Sequence, residues 1–357
     1  MNKVAILGYG NIGHGVKEML ANLPETVLLK VFDVPAKKAE LGVLYAGDIP
    51  SISEDPSVDT VFECLGGDEL PYQAICACLK AGKNVISSNK ETISRHLKEY
   101  QTLVERYHAS LQFEASVGGG IPLLYPLSVV ASFDSLVSLQ GILNGTSNYI
   151  ITAMEEKGMS FAEALKQAQD KGFAEKDPTA DLEGLDLVRK CSILASLITH
   201  EEVDNATIPH WGISHLDGSL ITAFKKENKA LRLLVDIHPY QGSYSLAIMP
   251  TLLERDSFLA QVKEETNALS ASFLKNGPLT FVGKGAGRYP TASAMISDFI
   301  RVKQHAVLPL TQIGKRLNPI LDLSGRYVVW NVQKSLQILV NPSLDELKRY
   351  AFVARLA

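Results

Sequence analysis

The sequence is poor in cysteine, and its cysteines fit neither a disulfide framework nor a zinc site. Among the 357 residues only four are cysteine, at Cys64, Cys76, Cys78 and Cys191. Cys76 and Cys78 are two positions apart, which is not a spacing of zinc ligands, and the histidines provide no metal-ligand spacing either. Because such sparse cysteine usage is typical of a reducing compartment, we expect a cytoplasmic protein.

The sequence also lacks an excess of positive charge and a long apolar run. The formal net charge is −4, which predicts neither a nucleic-acid partner nor a polybasic contact with a membrane. No uninterrupted apolar stretch is long enough to cross a bilayer. The opening residues, "MNKVAILGYG", begin a strand pattern at once and leave no room for a signal peptide. We therefore expect no membrane partner and no nucleic-acid partner.

Strand and helix patterns alternate over roughly the first third of the chain. The strand pattern "KVAILGYG" is followed by the helix pattern "NIGHGVKEMLANL" and the strand pattern "TVLLKVFD". The alternation continues through "DTVFECLGG" and "PYQAICACLKAG" to "SLQFEASVGGG". Since a strand, a crossover helix and a second strand build a parallel sheet, the pattern predicts an α/β fold with a doubly wound, Rossmann-type sheet.

The remainder of the chain predicts a second, α+β domain. "ALRLLVDIHP" and "SYSLAIMPTLL" are strand patterns, "PTASAMISDFIRVKQHA" is a helix that returns to the first domain, and "SLDELKRYAFVARL" is a helix pattern near the end. We predict a first domain over residues 1–125, completed by about 290–320, and a second domain over 126–289. Residues 321–357 are predicted to be a short C-terminal extension without a full regulatory domain.

A glycine fingerprint, G-x-G-x-x-G, joins the first predicted strand to the first predicted helix. It comprises Gly8, Gly10, Asn11, Ile12 and Gly13. Its glycines permit a tight turn and let a pyrophosphate approach the backbone at the helix N-terminus. Asp33 ends the second strand about twenty residues later, where a carboxylate accepts hydrogen bonds from ribose hydroxyls. The pattern predicts a dinucleotide site that favours NAD over NADP; Lys37 and Lys38 would weaken that preference. The alternative is a structural glycine turn.

Two further segments follow predicted strands, at the edge of the sheet where such folds bind ligands. Lys90, in "SSNKET", is placed to reach a substrate oxygen, although a solvated lysine at a helix start is the alternative. The segment "EASVGGGIP" exposes backbone groups to a ligand or an ion, because its glycines have no side chains to shield them. The alternative interpretation is that this segment only connects the two domains and binds nothing.

Two segments of the second domain carry candidate substrate residues. In "GILNGTSNYI", Asn144, Gly145 and Thr146 begin a helix and could hold a small carboxylate, which is compatible with simple N-capping. In "GFAEKDPTADLEGLDLVRK", Asp186 and Lys190 lie four residues apart on a helix with many apolar neighbours. A lysine held beside carboxylates in a cleft is a candidate proton carrier; an exposed ion pair is the alternative.

Taken together, these segments resemble the homoserine dehydrogenase family. The resemblance rests on "GYGNIG", "SSNKETI", "EASVGGGIP", "GILNGTSNYI", "GFAEKDPTADLEGLDLVRK" and "GKGAGRYPTASA". They occur in the family's order over roughly residues 1 to 320. The resemblance implies a reversible, NAD(P)-dependent interconversion of L-aspartate 4-semialdehyde and L-homoserine in threonine and methionine biosynthesis. It also implies a homodimer formed through the second, substrate-binding domain.

The resemblance implies a role for each polar residue of the candidate site. Lys190 matches the acid/base lysine, and Lys90 matches the other active-site lysine, near cofactor and substrate. Glu175 matches the residue that binds the substrate amino group. Asp181 and Asp186 match acids that bind the substrate and orient the lysine.

The resemblance also implies a cation site and further cofactor contacts. The cation, Na⁺ or K⁺, would be held largely by backbone carbonyls of Glu114, Val117, Gly119 and Ile121. The additional cofactor contacts are Ser87, Lys90, Gly285 and Gly287. Ser87 and Ser88 stand where the family often has Thr-Ala, which is a mild departure. The chain lacks room for the ACT domain of many family members, so we expect no threonine inhibition through such a domain.

Two alternatives to this assignment remain at the level of the sequence. One is a related amino-acid or semialdehyde dehydrogenase with an altered substrate pocket. The other is a nucleotide-sensing scaffold that has lost its chemistry, which the presence of both lysines and all three acids disfavours.

Overall fold

The computed structural model describes residues 1–308, 313–331 and 335–357. Over these residues the strands are β1 (Asn2–Leu7), β2 (Thr26–Phe32), β3 (Tyr45–Ala46), β4 (Thr60–Glu63), β5 (Asn84–Ser87), β6 (Ser110–Gln112), β7 (Leu136–Ile142), β8 (Lys229–Tyr240), β9 (Ser243–Glu254), β10 (Thr266–Phe273), β11 (Gly277–Lys284), β12 (Arg326–Trp330), β13 (Leu336–Val340) and β14 (Phe352–Leu356).

The helices over the same residues are α1 (Asn11–Leu20), α2 (Lys38–Leu41), α3 (Pro50–Ser53), α4 (Glu69–Lys80), α5 (Lys90–Tyr107), α6 (Leu124–Ala131), α7 (Gly145–Lys157), α8 (Phe161–Asp170), α9 (Thr179–Leu182), α10 (Leu185–Thr199), α11 (Gly218–Lys226), α12 (Arg288–Lys303) and α13 (Leu344–Leu347). None of the helices in the described ranges combines the length and the apolar character that crossing a membrane requires.

Residues 1–133, 196–202 and 284–316 form the first compact unit. In its described part, six parallel strands form one sheet in the order β3-β2-β1-β4-β5-β6. Ile6, Phe62 and Ile86 on the central strands are fully buried, because the strands of a parallel sheet are covered on both faces. The predicted doubly wound, Rossmann-type sheet is confirmed. Its strand order reverses between β1 and β4, where such sheets bind ligands beyond the carboxyl ends of the strands.

Helix α12 packs against α1 within this first unit. A side chain at Gly15 would come within 2.8 Å of Arg288 and 3.1 Å of Ala292, so glycine is what allows the two helices to approach closely. The segment "PTASAMISDFIRVKQHA", predicted to return to the first domain, provides most of α12.

Residues 134–195, 203–283 and 317–357 form the second unit. Its described strands make a mixed sheet of eight, in the order β11-β10-β7-β8-β9-β14-β12-β13. The long hairpin of β8 and β9 pairs antiparallel from Lys229–Glu254 to Tyr240–Ser243, whereas β14 joins β9 in parallel. Most side chains of β8 and β9 are buried, so this hairpin lies in the interior of the second unit. The predicted α/β fold with a second, α+β part is confirmed.

The C-terminal segment takes part in this second sheet. We predicted residues 321–357 as a short extension, and the structure places β12, β13 and β14 of that segment in the eight-stranded sheet. The helix predicted for "SLDELKRYAFVARL" is wrong beyond Leu347, because Phe352–Leu356 is a strand. Val353 packs with Met249 and Tyr327 in an apolar cluster, and this pairing outweighs the local helix propensity.

Candidate active site

The glycine fingerprint in the first unit has the geometry of a dinucleotide loop. Gly8 has a φ of +94°, and a Cβ there would lie 2.7 Å from the backbone of Cys64. A Cβ at Gly13 would lie 2.1 Å from the carbonyl oxygen of Gly8. Around Gly10, in contrast, nothing lies within 4 Å of the Cβ position, and no side chain caps α1 there. The N-terminus of α1 is therefore open to a pyrophosphate, so the loop fits the cofactor.

Asp33 lies beside this loop. Its carboxylate accepts hydrogen bonds from the backbone N–H groups of Tyr9 and, at 2.6 Å, of Val34. These bonds fix the carboxylate at the end of β2, where a ribose would be bound.

The Tyr9 ring stacks on His14 at 3.8 Å between ring centroids, and His14 contacts Glu40 at 2.8 Å. Glu40 also binds the Lys37 ammonium at 2.8 Å, so the charge of that lysine is partly compensated. The roles of Tyr9 and Glu40 were missed from the sequence. An aromatic residue between two fingerprint glycines was the available signal.

Lys90 is the first residue of α5 and is half-buried. The preceding Asn89 caps the helix by accepting hydrogen bonds from the N–H groups of Glu91 and Thr92. Ser87, predicted as a cofactor contact, is fully buried, and its hydroxyl donates to Glu63 at 2.5 Å. Burial raises the pKa of Glu63 to about 7. Neither Glu63 nor Asn89 was singled out from the sequence.

The predicted cation loop lies in the same unit as the glycine fingerprint. The Glu114 carboxylate is buried and accepts hydrogen bonds from the N–H groups of Leu123 and Leu124, each at 2.6 Å, and of Tyr125 at 2.9 Å. It therefore caps α6. The Glu114 carbonyl oxygen accepts the N–H of Val117 at 3.4 Å, and its second lone pair could bind an ion. Burial raises the pKa of the Glu114 carboxyl, and Arg301 lies 3.3 Å away.

The rest of this loop approaches the glycines that precede α12. Gly119 has a φ of +58°, and a Cβ there would lie 2.3 Å from the carbonyl carbon of Gly285. Gly120 donates its N–H to the Lys284 carbonyl at 3.1 Å, while Val117 and Ile121 are buried. Gly287 is the residue that precedes α12. The predicted cation loop and the predicted cofactor glycines are thus neighbours.

In the second unit, Asn144 joins the two aspartates of the acidic segment. It caps α7 by accepting the N–H of Ser147 at 2.8 Å. Its amide nitrogen donates to Asp181 at 2.7 Å and to Asp186 at 2.9 Å. Asn144 precedes α7 and is remote in sequence from the acidic segment, in which Asp181 lies on α9 and Asp186 at the beginning of α10.

Lys190 completes this group from the second turn of α10. Its Nζ lies 2.8 Å from the Asp186 carboxylate and donates to the Leu143 carbonyl at 2.6 Å. The side chains of Lys190 and Asp186 are only 10% and 7% exposed, so the pair is buried rather than solvated. Burial, followed by the charge of Asp186, raises the pKa of Asp181. An ammonium held in this way can give a proton to a developing alkoxide and stabilise its charge.

The remaining predicted substrate residues occupy different surroundings. The Thr146 hydroxyl donates to the Phe173 carbonyl at 2.7 Å, and a Cβ at Gly145 would come within 2.9 Å of the Glu265 carbonyl. Glu175 lies in the loop between α8 and α9 with an exposed side chain. The structure thus groups Asn144, Asp181, Asp186 and Lys190 by direct hydrogen bonds and leaves Glu175 facing solvent.

Family models and individual relatives match the chain over both units. The homoserine dehydrogenase model matches residues 122–300, and the homoserine dehydrogenase NAD-binding domain model matches residues 8–112. The homoserine dehydrogenase of Corynebacterium glutamicum is 33% identical over 323 residues, which are 85% of this chain and 72% of that protein.

Solved structures show the same fold. A homoserine dehydrogenase from Thiobacillus denitrificans superimposes with a TM-score of 0.87 over 100% of this chain and 98% of that one, at 23% identity. A hyperthermophilic archaeal homoserine dehydrogenase in complex with NADPH gives a TM-score of 0.71 over 85% of this chain and 98% of that one, at 22% identity. The open phosphate loop of the first unit and the matches across both units lead to one assignment: the chain belongs to the homoserine dehydrogenase family of NAD(P)-dependent oxidoreductases.

Proposed function

We propose that Lys190 is the acid/base residue of the homoserine dehydrogenase reaction, with Asp186 holding its ammonium group. The reaction interconverts L-aspartate 4-semialdehyde and L-homoserine. The observation that carries the proposal is the buried Lys190 ammonium, 2.8 Å from the Asp186 carboxylate and 2.6 Å from the Leu143 carbonyl. A buried, doubly anchored ammonium is pre-organised for proton transfer, whereas a solvated lysine is not.

When bound, NAD(P)H supplies the hydride that reduces the aldehyde carbon. Lys190 then gives a proton to the carbonyl oxygen as negative charge develops there, and in the reverse direction it accepts the hydroxyl proton of homoserine. Asp181 and Asp186 bind the substrate and orient the lysine. Glu175 binds the substrate ammonium. Lys90 is the second active-site lysine and lies near the bound cofactor and substrate. Glu175 is exposed in the structure, so its assignment rests on the family resemblance.

The substitution Lys190→Ala tests this assignment. We expect turnover of aspartate semialdehyde to fall by about 10²-fold or more, because the proton donor is lost. The dissociation constant of the reduced cofactor, measured by fluorescence titration, should stay unchanged. Lys166→Ala, at a lysine that is 67% exposed, is the control and should retain full turnover. Full turnover in the Lys190 variant would contradict the proposed role.

We also propose a preference for NAD over NADP. Asp33 supports it because a 2′-phosphate would meet a carboxylate, and Lys37 is engaged by Glu40. The NADPH complex of the archaeal relative belongs to that protein, so the choice needs a direct measurement. We expect a higher kcat/KM with NADH than with NADPH, and a smaller difference in Asp33→Ser. A wild-type preference for NADPH would contradict the proposal.

We further propose that Na⁺ or K⁺ binds the carbonyl oxygens of Glu114, Val117, Gly119 and Ile121. The side chain of Glu114 is occupied by the N-terminus of α6, and rings of backbone carbonyls are known hosts for monovalent cations. Replacing Na⁺ and K⁺ by tetramethylammonium at constant ionic strength should lower the melting temperature. An identical melting temperature in all three salts would contradict the proposal.

Following the family resemblance, we propose a cytoplasmic homodimer in which the first unit binds the nucleotide and the second binds the substrate and the partner copy. The absence of disulfides among the four cysteines supports the reducing compartment. Light scattering of the purified chain tests the oligomeric state, with the mass of a dimer as the expected result and the mass of a monomer as the contrary one.

A further inference from the structure

Glu63 is a fully buried carboxyl group to which the roles above assign nothing. It is the last residue of β4 and is 0% exposed. One carboxylate oxygen accepts the N–H of Leu65 at 2.7 Å, and the other accepts the hydroxyl of Ser87 at 2.5 Å. Its backbone carbonyl accepts the N–H of Ser88 at 3.3 Å. Burying a carboxyl group is costly unless it is hydrogen-bonded, and this one uses its bonds to connect the end of β4 to the end of β5.

Ser87 passes this connection on to Asn89. The Asn89 N–H donates to the Ser87 hydroxyl oxygen at 3.0 Å. The Asn89 amide nitrogen donates to the carbonyls of Leu65 at 3.2 Å and Gly67 at 2.7 Å. Its amide oxygen caps α5. Glu63, Ser87 and Asn89, which we call the Glu63–Asn89 bridge, therefore tie the turn after β4 to the first turn of α5.

Lys90 is the next residue after the bridge. Its backbone follows directly from Asn89, whose N–H and side-chain amide are all engaged in hydrogen bonds. Both connected turns lie at the carboxyl edge of the parallel sheet, where doubly wound folds bind their ligands. A misplacement of a catalytic group by about 1 Å can lower the rate by about 10²-fold. Loosening the backbone before Lys90 is therefore expected to lower kcat.

We propose that the Glu63–Asn89 bridge is a positioning device that sets the place of Lys90 for hydride transfer. The inference rests on the proposed active-site role of Lys90. In this proposal the three residues act through the placement of Lys90. Removing the bridge should therefore lower kcat only while Lys90 is present.

A double-mutant cycle of Asn89→Ala and Lys90→Ala tests the proposal. Asn89→Ala removes the helix cap and both amide donors. We expect it to lower kcat by about tenfold in the wild-type background and by less than about twofold in the Lys90→Ala background, because contacting residues that act as one unit are not additive. An equal factor in both backgrounds would overturn the inference and leave the role of Lys90 standing. Wild-type turnover in Lys90→Ala would overturn the role of Lys90, and the inference with it.

Two further variants separate positioning from general stability. Ser160→Ala removes the N-cap of α8, which carries a complete capping box, and should lower the melting temperature without changing kcat. Ser87→Ala breaks the link to Glu63 and leaves the Asn89 cap in place. If Asn89→Ala does not fold, Ser87→Ala takes its place in the double-mutant cycle, and its effect on kcat must again be smaller in the Lys90→Ala background than in wild type. Loss of kcat in Ser160→Ala equal to that in Asn89→Ala would also overturn the inference.

Discussion

At the scale of single residues, Asn144 uses both ends of its side-chain amide. The oxygen caps α7, and the nitrogen donates to Asp181 and Asp186. Without this shared donor two carboxylates would face each other in a buried place, where like charges destabilise one another. The sequence suggested Asn144 as a ligand for a substrate carboxylate. In the structure its side-chain amide is hydrogen-bonded within the protein, so we expect Asn144 to act by positioning the aspartates.

Asn144→Ala should therefore impair catalysis beyond the loss of a helix cap. We expect kcat/KM to fall by about tenfold or more, since Asp186 would no longer be fixed beside Lys190. The matched control is Asp217→Ala, which removes the N-cap of α11, because the Asp217 carboxylate accepts the N–H of Ser219 at 2.7 Å. Asp217→Ala should lose roughly 1 kcal/mol of stability, and Asn144→Ala should lose at least as much, because it also removes the donor shared by Asp181 and Asp186. Steady-state kinetics and thermal unfolding check this, and equal kcat/KM in the two variants would contradict it.

The candidate site was only partly predictable from its residues. The i,i+4 spacing correctly predicted that Asp186 and Lys190 share a helical face and pair. The Leu143 carbonyl and the Asn144 amide come from a strand end about forty residues earlier, and no local pattern reveals a contact made by a backbone carbonyl. Asn89 and Glu63 were missed for the same reason, because their hydrogen bonds connect two turns that are remote in sequence.

At the scale of elements, a buried ion pair joins α7 to β8. Arg232 is 1% exposed, and its guanidinium lies 2.8 Å from the Glu155 carboxylate. Glu155 also accepts the N–H of Leu231 at 2.8 Å, and Arg232 donates to the Val262 carbonyl at 3.1 Å. Each charged side chain of the pair therefore also has a backbone hydrogen-bond partner, which is the condition under which buried charges are tolerated.

Glu155→Gln should destabilise the second unit strongly, because Arg232 keeps its charge without a counter-charge. We expect a loss of about 3 kcal/mol or more in the free energy of unfolding. The double variant Glu155→Leu/Arg232→Met should lose less than the two single substitutions added together. Lys166→Ala, which breaks the exposed pair with Asp170, should cost under about 1 kcal/mol. Urea unfolding of wild type, Glu155→Gln, Glu155→Leu, Arg232→Met, the double variant and Lys166→Ala measures these differences, and a small loss in Glu155→Gln would contradict the argument.

At the scale of the whole molecule, the two sheets differed in how far the sequence could predict them. Strand and helix alternation predicted the parallel sheet, because each strand is followed by its own crossover helix. The eight-stranded sheet depends on contacts that are remote in sequence, with β14 lying between β9 and β12. Residues 196–202 also group with the first unit, whereas we predicted them inside a continuous second domain. Local periodicity carries no information on such long-range pairing.

A charged cluster anchors the C-terminal segment to β8 of the second unit. His238 lies 2.6 Å from Asp236 on the same strand and 3.2 Å from Asp322 in the segment before β12. Arg355 on β14 lies 3.6 Å from Asp322. Hydrogen bonding to Asp236 is the main cause that raises the pKa of His238, and Asp322 acts in the same direction.

This cluster predicts that part of the stability of the second unit depends on pH. Because the pKa of His238 is higher in the folded state, its contribution is complete below the unfolded pKa of about 6.5 and is lost as pH rises through the folded value. Relative to wild type, His238→Gln should have a lower urea midpoint at about pH 5.5, and the difference should shrink by about pH 8.5. His215→Gln, at an exposed histidine, should match wild type at both pH values. A difference for His238→Gln that is the same at both pH values would show that the imidazole contributes by packing and not by its charge.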